Sequence, residues 1–201
     1  MAFVDGQNLF YAAKEAFGYS YPNYNVRALA ERVCQAKGWS LLSVHFYTGI
    51  PDASDDASWN HFWTAKLTQM ARTGVHTFSR PLRYRNRSVR LPDGQIQTVL
   101  VGQEKGVDIR LALDVVRAVN ESLCDVVLIF SQDQDLTEAA EEVRFIAGRQ
   151  GRQVWLACAY PISPTSRNRR GIDKTEWIKI TRADYDTCLD PRDYRPKNPG
   201  A

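Results

Sequence analysis

This chain of 201 residues has few of the residues that build disulfide or zinc frameworks. Its 4 cysteines, Cys34, Cys124, Cys158 and Cys188, are far apart and form no CxxC pair, which excludes a zinc knuckle and a disulfide scaffold. Cys124 and Cys158 lie beside or inside apolar strand-like runs and read as buried, reduced thiols. The 3 histidines, His45, His61 and His76, show no ligand spacing and are assigned no chemistry. No apolar run approaches the about 18 residues of a spanning helix, and no signal-type leader precedes the first strand, so a cytoplasmic protein with no membrane partner is expected. Internal repeats and low-complexity tracts are also absent.

A strong charge of one sign is missing too: 26 basic residues face 23 acidic ones, for a net charge of +3. The distribution is uneven, however. Arg80, Arg83, Arg85, Arg87 and Arg90 fall in one stretch without an acid, and Arg167, Arg169, Arg170 and Lys174 form a second. A hydrophobic fraction of 44% supports a substantial core. The length suits one domain, expected over residues 1–185, with a loosely ordered tail at 186–201.

The chain alternates between strand and helix signals. Residues 2–5 read as a buried strand stopped by Gly6, and 9–17 as a helix ended by Gly18. Asn25 is placed to cap a helix over 26–36 that Gly38 stops. A strand is predicted over 41–47, a helix from Trp59 to Gly74, and a strand over 75–78. Residues 82–101 read as a hairpin turning at 92–95, with arginines at period two. A helix over 107–120 is expected to bury Ile109, Leu111, Leu113, Val116 and Val119. The nearly pure apolar run 126–130 suits a central parallel strand, followed by a helix over 135–147, a strand over 154–159 and an edge strand over 177–180. The order predicts a three-layer α/β/α Rossmann-like sandwich with a mainly parallel sheet and an inserted β-hairpin.

Four aspartates stand at the junctions of these elements: Asp5, Asp108, Asp133 and Asp135. In open parallel sheets the carboxyl ends of the strands line the ligand crevice. Carboxylates gathered there repel one another unless a cation joins them. Oxygen donors without histidine or cysteine select magnesium or manganese over zinc. Hydrolysis of a phosphodiester follows as the chemistry. Asn8, one turn into the first helix, is placed to orient a carboxylate, a water or a phosphate oxygen, and Lys105 to contact substrate phosphate. Glu104 is near enough to join directly or through a water. Taken singly, Asp108 or Asp135 reads as a helix cap rather than a ligand. Asp114 belongs to another helix face, where a solvent or salt-bridge role is expected, and Glu138, Glu141 and Glu142 read as a solvated acidic face.

At these residues the chain resembles the NYN domain family, a branch of the PIN-like nuclease superfamily, and most closely its bacterial LabA-like members. Phe3-Val4-Asp5-Gly6-Gln7-Asn8 is similar to the family's Asp-Gly-x-Asn opening. Lys105-Gly106-Val107-Asp108 resembles its Lys-Gly-x-Asp helix start, and Ser131-Gln132-Asp133-Gln134-Asp135 its Ser-x-Asp-x-Asp motif, with Gln132 and Leu136 in place of the usual Gly and Phe. The resemblance implies a PIN-like fold and a ribonuclease site using Mg2+ or Mn2+ on Asp5, Asp108, Asp133 and Asp135. It also covers members with regulatory or RNA-processing roles.

The expected function is therefore a metal-dependent endoribonuclease acting on RNA, with single strands as the expected substrates. Arg83, Arg85 and Arg87 are candidates to track the RNA backbone, with an edge strand protected by charge as the other reading. Tyr19, Tyr21 and Tyr24 are read as base-stacking or as packing residues, and Trp59, Phe62 and Trp63 as core or a homodimer contact. Two other functions are compatible with the pattern: a non-catalytic RNA-binding or regulatory module, and a small-molecule phosphatase. The latter is disfavoured because Gln7 stands where an Asp-x-Asp nucleophile motif needs its second acid.

Overall fold

A computed structural model describes residues 1–90 and 94–196. Its centre is a six-stranded sheet of order β3-β2-β1-β6-β7-β8. These strands are β1 (Ala2–Asp5), β2 (Val44–Ile50), β3 (Val75–Pro81), β6 (Val126–Phe130), β7 (Trp155–Pro161) and β8 (Glu176–Ile180), and every neighbouring pair is parallel. β4 (Arg83–Arg90) and β5 (Ile96–Gln103) form a separate antiparallel hairpin. Of the turn expected at 92–95, Pro92 and Asp93 lie outside the described residues.

Alternating side chains of β1 divide the core, as the strand's period of two requires. Ala2 and Val4 join a cluster with residues of α1 (Gly6–Phe17), α2 (Val26–Lys37), α3 (Ala57–Arg72) and α6 (Arg182–Asp186). Phe3 joins the opposite cluster, with α4 (Val107–Asn120) and α5 (Thr137–Arg149). The result is an α/β/α sandwich. Asn25 caps α2 by accepting the N–H groups of Arg27 and Ala28, and Gly38 closes it at φ 70°. Among the described residues no helix is long and apolar enough to cross a membrane.

Several boundaries and faces differ from the sequence reading. β2 begins at Val44, where pairing with β1 starts, and continues to Ile50 because β3 runs beside it that far. α4 buries Val107, Leu111, Val115, Ala118 and Val119, whereas Ile109 and Leu113 are 62% and 56% exposed. The helix carries apolar residues on more than one face, and the stripe containing the small Ala118 meets the sheet. All 4 cysteines are free and buried.

Part of the tail expected to be loose carries packed side chains. Cys188 is buried, Asn25 donates its N–H to the Cys188 carbonyl at 2.8 Å, and Tyr24 bridges Leu189. Lys66 is fully buried; its Nζ donates to the Tyr24 carbonyl at 2.8 Å and pairs with Asp190 at 3.4 Å. Burial lowers its pKa to about 8 against the opposing pull of Asp190. Of Trp59, Phe62 and Trp63, the last two are core residues.

Candidate functional site

Strand order reverses between β1 and β6, so a crevice opens beyond their carboxyl ends. Asp5 closes β1. Its Oδ1 accepts the Asn8 N–H at 2.9 Å and so caps α1, while its Oδ2 accepts the Ser131 hydroxyl at 3.2 Å. The Asn8 side-chain oxygen in turn accepts the Gln132 N–H at 2.9 Å. Ser131 Oγ also accepts the Asp133 N–H at 3.1 Å, and Asp133 accepts the Asp135 N–H at 3.0 Å, capping a 3-10 turn over Gln134–Leu136. The Asp-Gly-x-Asn and Ser-x-Asp motifs thus interlock through side-chain hydrogen bonds. Gly6 is needed for this start: a Cβ would stand 2.4 Å from Phe46 Cζ and 2.9 Å from the Tyr47 carbonyl.

The third segment arrives from the hairpin. Glu104 follows β5, and its carboxylate accepts the N–H of Gly49 near the end of β2. A Cβ on Gly49 would lie 2.8 Å from Glu104 Oε2 and 2.4 Å from Leu82 Cδ2, so the missing side chain admits both groups. Gly106, at φ 73°, makes the left-handed turn that starts α4, with Asp108 in its first turn. Asp5, Asn8, Glu104, Asp108 and Asp133 consequently line one cleft of about 350 Å³, together with Gln7 and Tyr11.

The acids feel one another. Burial pushes the Asp5 carboxyl up to about 6, with the Asp133 charge adding to it and the hydrogen bonds from Asn8 and Ser131 opposing. Burial likewise raises Glu104 to about 7, reinforced by the charges of Asp5 and Asp108 and opposed by the Gly49 N–H. Crowded carboxylates of this kind favour either protonation or a bound cation. The donors are oxygen only, which in kind suits magnesium or manganese. Among the described residues no three acids, histidines or cysteines converge as a finished metal cage; the feature present is an acidic cleft.

Asp135 is not brought into that cleft. It is exposed in the 3-10 turn, because Asp133 binds its amide and the chain then turns away into α5. Asp135 thus does not line the cleft with the other three aspartates, while Glu104, which the sequence placed near enough to join, does. Only its position just before Lys105-Gly106 marked it in sequence. Lys105 is half-buried and is not among the cleft's lining residues. Arg83, Arg85 and Arg87 are exposed along β4, and Glu138, Glu141 and Glu142 are exposed on α5. Asp114 belongs elsewhere: it accepts from Tyr47 at 3.0 Å and Arg110 at 2.8 Å. It lines a separate cavity with His45 and His76, whose rings stack at 4.6 Å. Tyr24 is buried, and Tyr19 stacks on Tyr185 at 5.4 Å, which makes both packing residues.

The glutamines of the Ser-x-Asp motif have a role that local reading missed. Gln132 Nε2 donates to the Arg170 carbonyl at 2.8 Å, and Gln134 Nε2 to the Gly171 carbonyl at 2.7 Å. They moor the second basic loop beside Asp133. A glycine at position 132 would lack the first of these bonds.

The α/β/α sandwich with acids gathered at the β1/β6 switch point is consistent with the Rossmann-like, PIN-like class of folds. The family model for the NYN domain matches residues 1–169, and the chain belongs to that family. No curated protein matches the chain. A crystal structure of a protein of unknown function from Vibrio parahaemolyticus is similar, with 16% identity, a TM-score of 0.49, and coverage of 92% of this chain and 93% of that one.

Proposed function

We propose that the protein is a magnesium- or manganese-dependent endoribonuclease that hydrolyses phosphodiester bonds of single-stranded RNA, of the LabA-like branch and working in the cytoplasm. The observation that carries this reading is the meeting of Asp5, Glu104, Asp108 and Asp133 in one cleft at the strand-order reversal, with the Asp5 and Glu104 carboxyls held well above the usual range. Asp5, Asp108 and Asp133, joined by Glu104, are the residues that would hold the metal. A bound divalent ion would supply Lewis acidity toward the phosphate and a more acidic water.

The chain's own groups have separable tasks. Asp5 and Asp133 supply negative charge at positions held by Ser131 and Asn8, so Asn8 acts as a positioning residue through the Gln132 amide. Glu104, whose carboxyl burial pushes up to about 7, would be held ionised by a bound cation and so would serve as a further oxygen donor. Lys105 and the exposed Arg83, Arg85 and Arg87 provide cationic contacts for the RNA backbone. The four acids of the cleft come from one chain, and a homodimer would serve to widen the RNA surface.

The test is cleavage of mixed RNA and single-stranded DNA with magnesium, with manganese and with excess chelator, using Asp133→Asn alongside. Metal-dependent RNA cleavage absent from the variant is the expected result. Cleavage that survives chelation would overturn the metal-dependent reading, and RNA binding without turnover under any metal would assign the protein to the regulatory class instead.

A further inference from the structure

Beside the acidic cleft lies a second hollow of about 450 Å³. Gln7 and Tyr11 line both, so the two are neighbours. On α1, Gln7, Tyr11 and Lys14 are spaced by four and three residues and share one helix face, turned to the hollow. The Tyr11 side chain is 55% exposed despite its size. Phe10 continues the aromatic surface inward, its ring 5.4 Å from Tyr11 and 6.2 Å from Trp59.

The facing wall comes from the hairpin. Tyr84 on β4 is the cross-strand partner of Gly102 on β5, and both line the hollow. A Cβ on Gly102 would stand 3.1 Å from Tyr84 Cε1, so the glycine lets that ring lie against the strand. Asp55 and Asp56 also line the hollow, but Asp56 is engaged in capping α3 through the Trp59 N–H, and Asp55 lies beside Tyr84. Lys14 supplies the cation on the α1 side. An exposed ring on α1 and a half-buried ring on β4, with a nearby cation and next to a cleft for phosphodiester chemistry, are the elements of a single-strand platform, where bases stack and the backbone is tracked by charge.

We infer that this hollow is a base-binding subsite, in which Tyr11 and Tyr84 seat an unpaired RNA base next to the phosphodiester group in the acidic cleft. The inference rests on the functional reading of that cleft. It assigns the selection of single strands to a structural element: a base stacked and paired within a duplex does not present its faces to two protein rings.

The experiment measures binding, not turnover, by fluorescence anisotropy in magnesium buffer on an Asp133→Asn background. The probes are a labelled single-stranded oligouridylate and an abasic ribose-phosphate oligomer of equal length. Tyr11→Leu and Tyr84→Leu are each expected to weaken oligouridylate binding at least about fivefold, the low end of a lost stacking interaction. Tyr11→Phe, which keeps the ring, is expected to bind like its parent, and the abasic oligomer to bind all four proteins equally and weakly. Unchanged affinity in both leucine variants, equal binding of the two oligomers by the parent, or no binding of RNA would overturn the subsite. Oligouridylate binding as expected, without cleavage by the wild-type protein, would overturn the nuclease reading and leave the subsite standing.

Discussion

Ser131 donates its hydroxyl to Asp5 Oδ2 over 3.2 Å, joining residues 126 positions apart. The bond spans the β1/β6 boundary and, with Asn8 accepting the Gln132 amide, aligns two acidic motifs from opposite ends of the family domain. Asp5 and Asp133 are thereby held as one unit before any ligand arrives.

That unit separates the two aspartates of the Ser-x-Asp-x-Asp motif. Asp133→Asn and Asp5→Asn are expected to lower RNA cleavage by at least about a hundredfold, the scale of losing one electrostatic group from a site of this kind. Asp135→Asn, at an exposed position outside the cleft, is expected to keep near wild-type rates. Initial rates on one RNA substrate, with circular dichroism to confirm folding, check both; equal losses in Asp133→Asn and Asp135→Asn would return Asp135 to the site.

Stability should depend on pH and metal together. The folded-state pKa values of Asp5 and Glu104, about 6 and about 7, lie above the values of 3.8 and 4.5 for unperturbed groups. Between these limits the folded chain binds more protons than the unfolded one, so stability from these groups is full below about 4 and lost as pH rises through about 7. Thermal unfolding without metal should therefore show Asp5→Asn, which can still cap α1, melting above wild type at pH 8 but not at pH 4. Magnesium at about 100 times its Kd should raise the wild-type Tm by roughly 5–10 °C at pH 8 and far less at pH 5.

Gly49→Ala tests the contact between β2 and Glu104. The added methyl would meet Glu104 Oε2 at 2.8 Å and Leu82 Cδ2 at 2.4 Å. A loss of about 1–3 kcal/mol in denaturant unfolding is expected from overpacking, with a lower cleavage rate as Glu104 moves. Unchanged activity would show that the Glu104 position is not needed.

The arginines of β4 should act through salt. Replacing Arg83, Arg85 and Arg87 together by alanine is expected to reduce the slope of log affinity against log salt by about 2 for single-stranded RNA. The folded-state Tm should stay close to wild type, since all three are exposed. An unchanged slope would assign them to edge protection of the hairpin.

The buried pair Lys66–Asp190 should hold the segment after α6. Asp190→Ala leaves the Lys66 ammonium without its carboxylate and is expected to cost about 3 kcal/mol, measured by urea unfolding at pH 7. A cost close to zero would mean that the Tyr24 carbonyl alone satisfies the lysine.

The elements were legible because their signals are local. Asn25, Gly18 and Gly38 mark helix ends by capping chemistry, and the apolar run of β6 marks a strand buried on both faces. Asp5, Asp108 and Asp133 were legible for the same reason, standing at element junctions. α4 shows where locality fails: its apolar residues do not single out a face, and only the sheet beneath selects Val115 and Ala118 over Ile109 and Leu113.

By itself, then, the sequence determined an alternating α/β chain with acids at its strand ends, since strand period, caps and turns depend on neighbouring residues. Only the tertiary structure decided which acids meet. Asp135, whose amide Asp133 accepts, is exposed and does not line the cleft, and Glu104 is held there by an amide on β2 that is 55 residues away. The aromatic wall of Tyr11 and Tyr84, and the mooring of the basic loop by Gln132 and Gln134, belong to the same category. Side-chain direction at a loop is set by partners from other strands, and those partners are chosen by the packing of the sheet.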